Sequence, residues 1–201
     1  DTLLPALAKR LEERERFTRA ALSAVSAFSA LSWMITAGAW VLATEIFVVI
    51  GGRPEWESAA PIFRALLPFV LIRAINGSMG AMITAAGKPH VLTLVSGTQL
   101  AAMVPLAALG FWLYGFLGLV IAITILNGGA MLALIAIAPR FVATRRRDLL
   151  LTILAPLPAA VAAGFAAWSI GSLAPTPLLR LVLGFASAVV AFTAVWESMC
   201  R

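Results

Sequence analysis

A chain of 201 residues that is 62% hydrophobic and 12% charged, with a mean hydropathy of +0.99, lies far outside the soluble globular range; soluble domains are about half apolar and about a quarter charged. It belongs in a bilayer. Its net charge of +6 does not point to nucleic acid, because the basic residues sit in short clusters between long apolar runs instead of covering one face of a domain.

The chain opens with "DTLL", which fits the end of a preceding span. "PALAKRLEERERFTRA" follows, with Leu7 and Leu11 on one side of a helix and Glu12 to Arg16 and Glu15 to Arg19 as i,i+4 pairs in the favourable order. This stretch reads as an amphipathic helix on the cytoplasmic surface, with a solvated charged linker as the alternative. Asp1 stands first, and no basic segment leads into a short apolar run with a cleavage site. We therefore expect a fragment that begins inside a larger protein.

A spanning helix needs about 20 apolar residues, and six segments meet or approach that length: residues 20–50, 58–87, 90–113, 116–138, 149–170 and 178–198. The connections "GGRPEWES", "GKPH", "LYGF", "PRFVATRRRD" and "GSLAPTP" are short and rich in turn formers. The expected fold is an all-α integral membrane bundle of about six transmembrane helices, preceded by the short amphipathic helix. Its expected divisions are residues 1–19, a four-helix part at 20–139, a basic linker at 140–148 and a terminal helix pair at 149–201.

With the N-terminus cytoplasmic, that side receives eleven basic residues: Lys9, Arg10, Arg14, Arg16, Arg19, Lys88, Arg140, Arg145, Arg146, Arg147 and Arg201. The opposite loops receive Arg53 and Arg180 alone. Such a bias places both termini in the cytoplasm. Trp56, Trp112, Tyr114 and Trp168 then fall near the outer edge of the bilayer and Trp196 near the inner one, the headgroup depth that amphipathic rings favour.

Polar groups inside the spans are few. Glu45 and Arg64 flank the first outer loop at similar depth, about six residues on either side of it, and are expected to form an ion pair, to snorkel, or to line a cavity mouth. Arg73 lies roughly 20 Å of helix from either surface, too deep to snorkel, and no acid of this chain matches its depth. It is either structural or ligand-facing. Asn76 follows one turn later, and Gln99 and Asn127 sit near the middle of the next two spans. These amides are either interhelical hydrogen-bond glue or the walls of a polar cavity. Ser23, Ser26, Ser29, Ser32 and Thr36, and the pair Gly77 and Ala81, read as sites of close helix packing.

No catalytic group assembles from the one histidine, His90, and no Gly-rich phosphate loop occurs. The lone Cys200 forms no intramolecular disulfide and, with His90, no metal cage. Neither an enzyme nor a metal or other cofactor is expected.

The ordered features "LLPALAKRLEERERFTRA", a long span, and "VVIGGRPEWESAAPIFRALLPFVLIRAINGSMGAMITAAGKP" resemble the C-terminal half of Wzx-type polysaccharide-biosynthesis flippases. Their superfamily includes the MATE exporters and the lipid II flippases. In that family a proline leads into a basic cytoplasmic helix, a G…W…AAP loop opens a span, and an A-x-G-[KR]-P turn closes it. Pro5, Gly52, Trp56, Ala59, Ala60, Pro61, Gly87 and Lys88 take those places, and the resemblance covers about residues 3–140.

The resemblance implies two helical lobes around a central cavity, this chain supplying most of the second lobe. It also implies transport of lipid-diphosphate-linked oligosaccharide across the bacterial cytoplasmic (inner) membrane by alternating access. The partners would be that lipid-linked oligosaccharide, membrane lipids and the missing N-terminal lobe. A drug- or ion-coupled exporter of the same superfamily, or a non-transporting membrane subunit, is the alternative. No family residue carries over to a binding role, so Arg73, Asn76, Gln99 and Asn127 stand as cavity candidates on their own chemistry.

Overall fold

The computed structural model of the chain describes residues 3–52 and 54–200, the side chains of 3–12, 14, 54 and 200 excepted. Among these residues every regular element is helical. The first helix, α1 (Leu3–Val41), is continuous where a separate amphipathic helix was expected. The reason lies in the sequence: between Pro5 and Gly38 there is neither glycine nor proline to interrupt it. Leu7, Leu11 and Glu12, which carry the amphipathic reading and the first ion pair, lie outside the described side chains. Glu15 and Arg19 are both exposed and, among the described residues, unpaired.

A turn at Leu42 (φ −89°, ψ 13°) leads into α2 (Ala43–Gly51), which stops at Gly52 in the left-handed conformation (φ 63°), its N–H bonded to the Val48 carbonyl. Glycine at that position has no Cβ to clash. In the following 3₁₀ turn (Pro54–Ala59), the Trp56 side chain lies where a Cβ on Gly51 would stand, so the packed contact is made by Gly51 and not by Gly52, the glycine of the G…W motif, which has open space around it.

Helix α3 (Ala60–Ala85) begins with Pro61 in its first turn, where a missing N–H costs nothing. It ends in a Schellman motif: Gly87 (φ 74°) donates to the Thr84 carbonyl at 2.9 Å and Lys88 to the Ile83 carbonyl at 3.2 Å. Pro89 then opens α4 (Pro89–Ile137). The "AAGKP" stretch is thus a helix stop and a helix start within five residues.

Among the described residues, five helical stretches are long and apolar enough to cross a membrane: Glu15–Val41, Glu55–Ala85, Pro89–Arg140, Arg146–Leu173 and Pro177–Met199. The third, of 52 residues, would run about 78 Å if straight, against a hydrocarbon core of about 30 Å. It does not run straight. Tyr114 (φ −136°, ψ 18°) and Gly115 (φ 61°, ψ −142°) fold α4 back on itself, so that residues 89–113 and 116–137 form two antiparallel legs. The legs meet backbone to backbone: a Cβ on Gly110 would strike the Gly118 carbonyl, and one on Gly118 the Gly110 carbonyl. With this hairpin the described residues form six apolar helical legs of membrane-spanning length.

A 3₁₀ turn (Ala138–Arg140) and a short loop lead to α5 (Arg146–Leu154), α6 (Leu157–Leu173) and α7 (Pro177–Cys200). Pro156 and Pro158, on either side of Leu157, each remove a donor and part α5 from α6. α1 is the common wall. On one side Val25 joins Leu71, Ile75, Met79, Leu134 and Leu149 in an aliphatic core. On the other, Ala30 meets a seam of small residues, Ala159, Ala160, Ala163, Ala167 and Ala188, that lets helices approach closely. Trp33 packs against both clusters, and its indole Nε1 donates to the Ile153 carbonyl at 2.9 Å.

Phe17, Ala86, Phe141 and Val142 pack around the same core and so mark one end of the bundle. Beside them Arg16, Arg19, Lys88, Arg140, Arg145, Arg146 and Arg147 are all exposed, which puts the basic clusters at that end. At the far end Trp56, Trp112, Tyr114 and Trp168 stand outward, each more than half exposed.

Candidate functional site

Of the four midspan candidates, Arg73 and Asn76 lie on α3 and Gln99 and Asn127 on opposite legs of the α4 hairpin. Arg73, Asn76, Gly77 and Gly80 follow one another at i, i+3, i+4 and i+7, one face of a helix. The facing leg repeats the pattern with Leu92, Val95, Ser96 and Gln99. Between these faces runs a cleft of about 260 Å³, floored by Ala130 and Leu134 of the second leg. Gly77 and Ala81 are exposed and do not form the expected close helix contact; with no side chain of its own, Gly77 opens the cleft wall. Ser96 was not singled out from the sequence, although its place one turn before Gln99 put it on the same face.

The amides are joined to one another. Asn127, only 4% exposed, donates through Nδ2 to the Ile123 carbonyl at 2.9 Å. Its Oδ1 accepts from Gln99 Nε2 at 2.9 Å, and its backbone carbonyl accepts from Asn76 Nδ2 at 3.1 Å. Asn127 therefore ties α3 and both legs together, and its amide faces the helices and not the cleft. Asn76 Oδ1 is buried and, among the described residues, has no partner. Leaving an acceptor so costs about 1–3 kcal/mol.

Arg73 is exposed and, among the described residues, forms no hydrogen bond and no ion pair. It sits at the middle of the 26-residue α3, with about 18–20 Å of helix on either side. A guanidinium at that depth has no counter-charge from the described residues.

Glu45 and Arg64 do not form the expected pair. Arg64 turns instead to the end of α1, donating from Nε to the Trp40 carbonyl at 3.0 Å and from Nη2 to Thr44 Oγ1 at 3.1 Å. The last carbonyls of a helix lack regular partners, and an arginine supplies one. Glu45 is half-buried on α2 with no partner among the described residues. Arg180 of α7 plays a similar capping role at the end of α6, with Nε bonded to the Ala174 carbonyl at 3.0 Å.

A second opening of about 470 Å³ lies between the two legs of α4, lined almost wholly by apolar residues such as Leu94, Leu106 and Ile125. Val95, Gln99 and Ala130 border both this fissure and the polar cleft, so a charged recess and an apolar one share a wall. Of the serines and threonines read as packing sites on α1, Ser29 is fully buried, whereas Ser32 is bonded back to the Phe28 carbonyl at 2.7 Å. Among the described residues, no three histidine, cysteine or acidic side chains gather as metal ligands would. No family model matches the chain, and neither a curated protein nor a solved structure matches it.

Proposed function

We propose that the chain forms one lobe of a transporter that carries lipid-diphosphate-linked oligosaccharide across the bacterial cytoplasmic membrane by alternating access, with its basic end in the cytoplasm. The observation that carries this reading is Arg73: a permanent cation at midspan, in an open cleft, with no partner among the described residues. A planar guanidinium donates two parallel bonds to a phosphate and stays charged where water is scarce. The apolar fissure beside it offers room for part of a lipid chain. The ordered resemblance over residues 3–140 supplies the cargo and the second lobe. In such machines one bundle rocks against another around a shared site.

The mutual bonding of Asn76, Gln99 and Asn127 favours a second reading, a non-transporting membrane subunit in which these groups only hold helices together. Binding separates the two. In lipid nanodiscs the chain should bind a short prenyl diphosphate, and Arg73→Ala should weaken that binding about tenfold, the loss of one charged contact. Equal binding by wild type and Arg73→Ala would favour the subunit.

A further inference from the structure

The three amide orientations in the cleft are fixed by chemistry. A backbone carbonyl can only accept, so the atom of Asn76 facing the Asn127 carbonyl is its NH₂ group, which makes the other terminal atom Oδ1. In the same way the Ile123 carbonyl fixes Nδ2 of Asn127 and leaves Oδ1 as the atom facing Gln99. Gln99 must then present Nε2 to that oxygen, which turns its Oε1 away from the bond. Two main-chain carbonyls thus determine three side chains on three helical segments.

Two amide oxygens remain without partners among the described residues. Asn76 Oδ1 is closed over at the cleft wall, its desolvation cost already incurred. Gln99 Oε1 belongs to a half-buried side chain that borders the cleft. Both are acceptors. Phosphate oxygens are acceptors as well and gain nothing from them; a ligand satisfies them only by donating. Arg73 in the same cleft has the opposite demand, since a guanidinium offers donors only.

We propose that the cleft reads two parts of its cargo separately. Arg73 takes the anionic group, and Gln99 Oε1 takes a hydroxyl donor on the polyhydroxylated group next to that anion. Gln99 is then the residue that distinguishes a sugar-bearing diphosphate from a bare one, while Asn127 sets its orientation without touching the ligand. This rests on the binding role proposed for Arg73, and it assigns hydroxyl recognition to an acceptor and not to the cation.

The test uses the chain in nanodiscs and two prenyl diphosphate hexoses of equal charge, one with free hydroxyls and one with every hydroxyl methylated. Methylation keeps the oxygens but removes every donor. Wild type should bind the free hexose about tenfold more tightly than the methylated one, the scale of one or two hydrogen bonds. In Gln99→Leu that ratio should fall to about one, while the bare prenyl diphosphate still binds in an Arg73-dependent way, which also serves as the check that the variant is folded. If wild type binds the two hexoses equally while Arg73→Ala weakens the bare diphosphate, hydroxyl recognition by the cleft is refuted and the phosphate role stands. If Gln99→Leu folds and keeps the tenfold ratio, Gln99 is not the reader. If Arg73→Ala leaves all three ligands unaffected, the phosphate role itself fails. Should Gln99→Leu not fold, the wild-type comparison alone decides for or against hydroxyl recognition.

Discussion

Gln99 and Asn127 are 28 residues apart in the chain and 2.9 Å apart in space, Nε2 to Oδ1, across the α4 hairpin. An unbroken helix would hold them roughly 42 Å apart. The bond therefore depends on the reversal at Tyr114 and Gly115, and in turn it fixes the register of the two legs at mid-membrane depth.

Asn127 and Arg73 should behave oppositely when changed. The Asn127 side chain makes two hydrogen bonds, and Asn127→Leu should cost about 1–3 kcal/mol of stability by stranding Gln99 Nε2, while the main-chain carbonyl still accepts from Asn76. Arg73 bonds to no described residue, and Arg73→Ala should leave stability within about 0.5 kcal/mol of wild type. Unfolding in mixed micelles, followed by the helical circular dichroism signal, measures both. A large loss for Arg73→Ala with none for Asn127→Leu would reverse the assignment.

The hairpin should not tolerate side chains at its glycine contact. Gly118→Val places a branched group against the Gly110 carbonyl, and the legs must part; the expected loss is about 2–4 kcal/mol. Gly38→Ala, at a helical position with open space around it, should be neutral or slightly stabilising. The same unfolding assay compares the pair, and equal stability of the two variants would contradict the close approach.

The proposed orientation is tested by cysteine labelling in a Cys200→Ser background. An impermeant thiol reagent added outside intact cells should modify Ser58→Cys, beside Trp56, and spare Ala143→Cys, within the basic linker. The opposite pattern would place the basic end outside, against the bias of the loops.

Much of this fold was legible because membrane spans follow from length and apolarity, which need no tertiary knowledge. Residues 58–87 predict α3 (Ala60–Ala85) closely because Pro61 and Gly87 mark its ends. The break between residues 113 and 116 was legible for the same reason, from Gly115. Two things were not. The continuity of α1 hid behind a change of composition at Phe17, since charge pattern alters while helix propensity does not. The partner of Arg64 was misread because equal depth suggested Glu45, whereas the nearer demand came from a carbonyl at a helix end that no side-chain pattern reveals. At the cleft, polarity and depth pointed to Arg73, Asn76 and Gln99, which share its lining, whereas Asn127 turns to the helices instead; which amide atoms are left free depends on backbone carbonyls and is invisible in the sequence.

The proposal that Arg73 handles the cargo's phosphate during transport is tested most directly by polymer export in cells that carry this chain together with the second lobe proposed for it. Arg73→Ala should abolish export while protein level and membrane insertion persist, and Arg73→Lys should restore only part of it, because an ammonium keeps the charge but lacks the planar fork. Full export by Arg73→Ala would contradict the account.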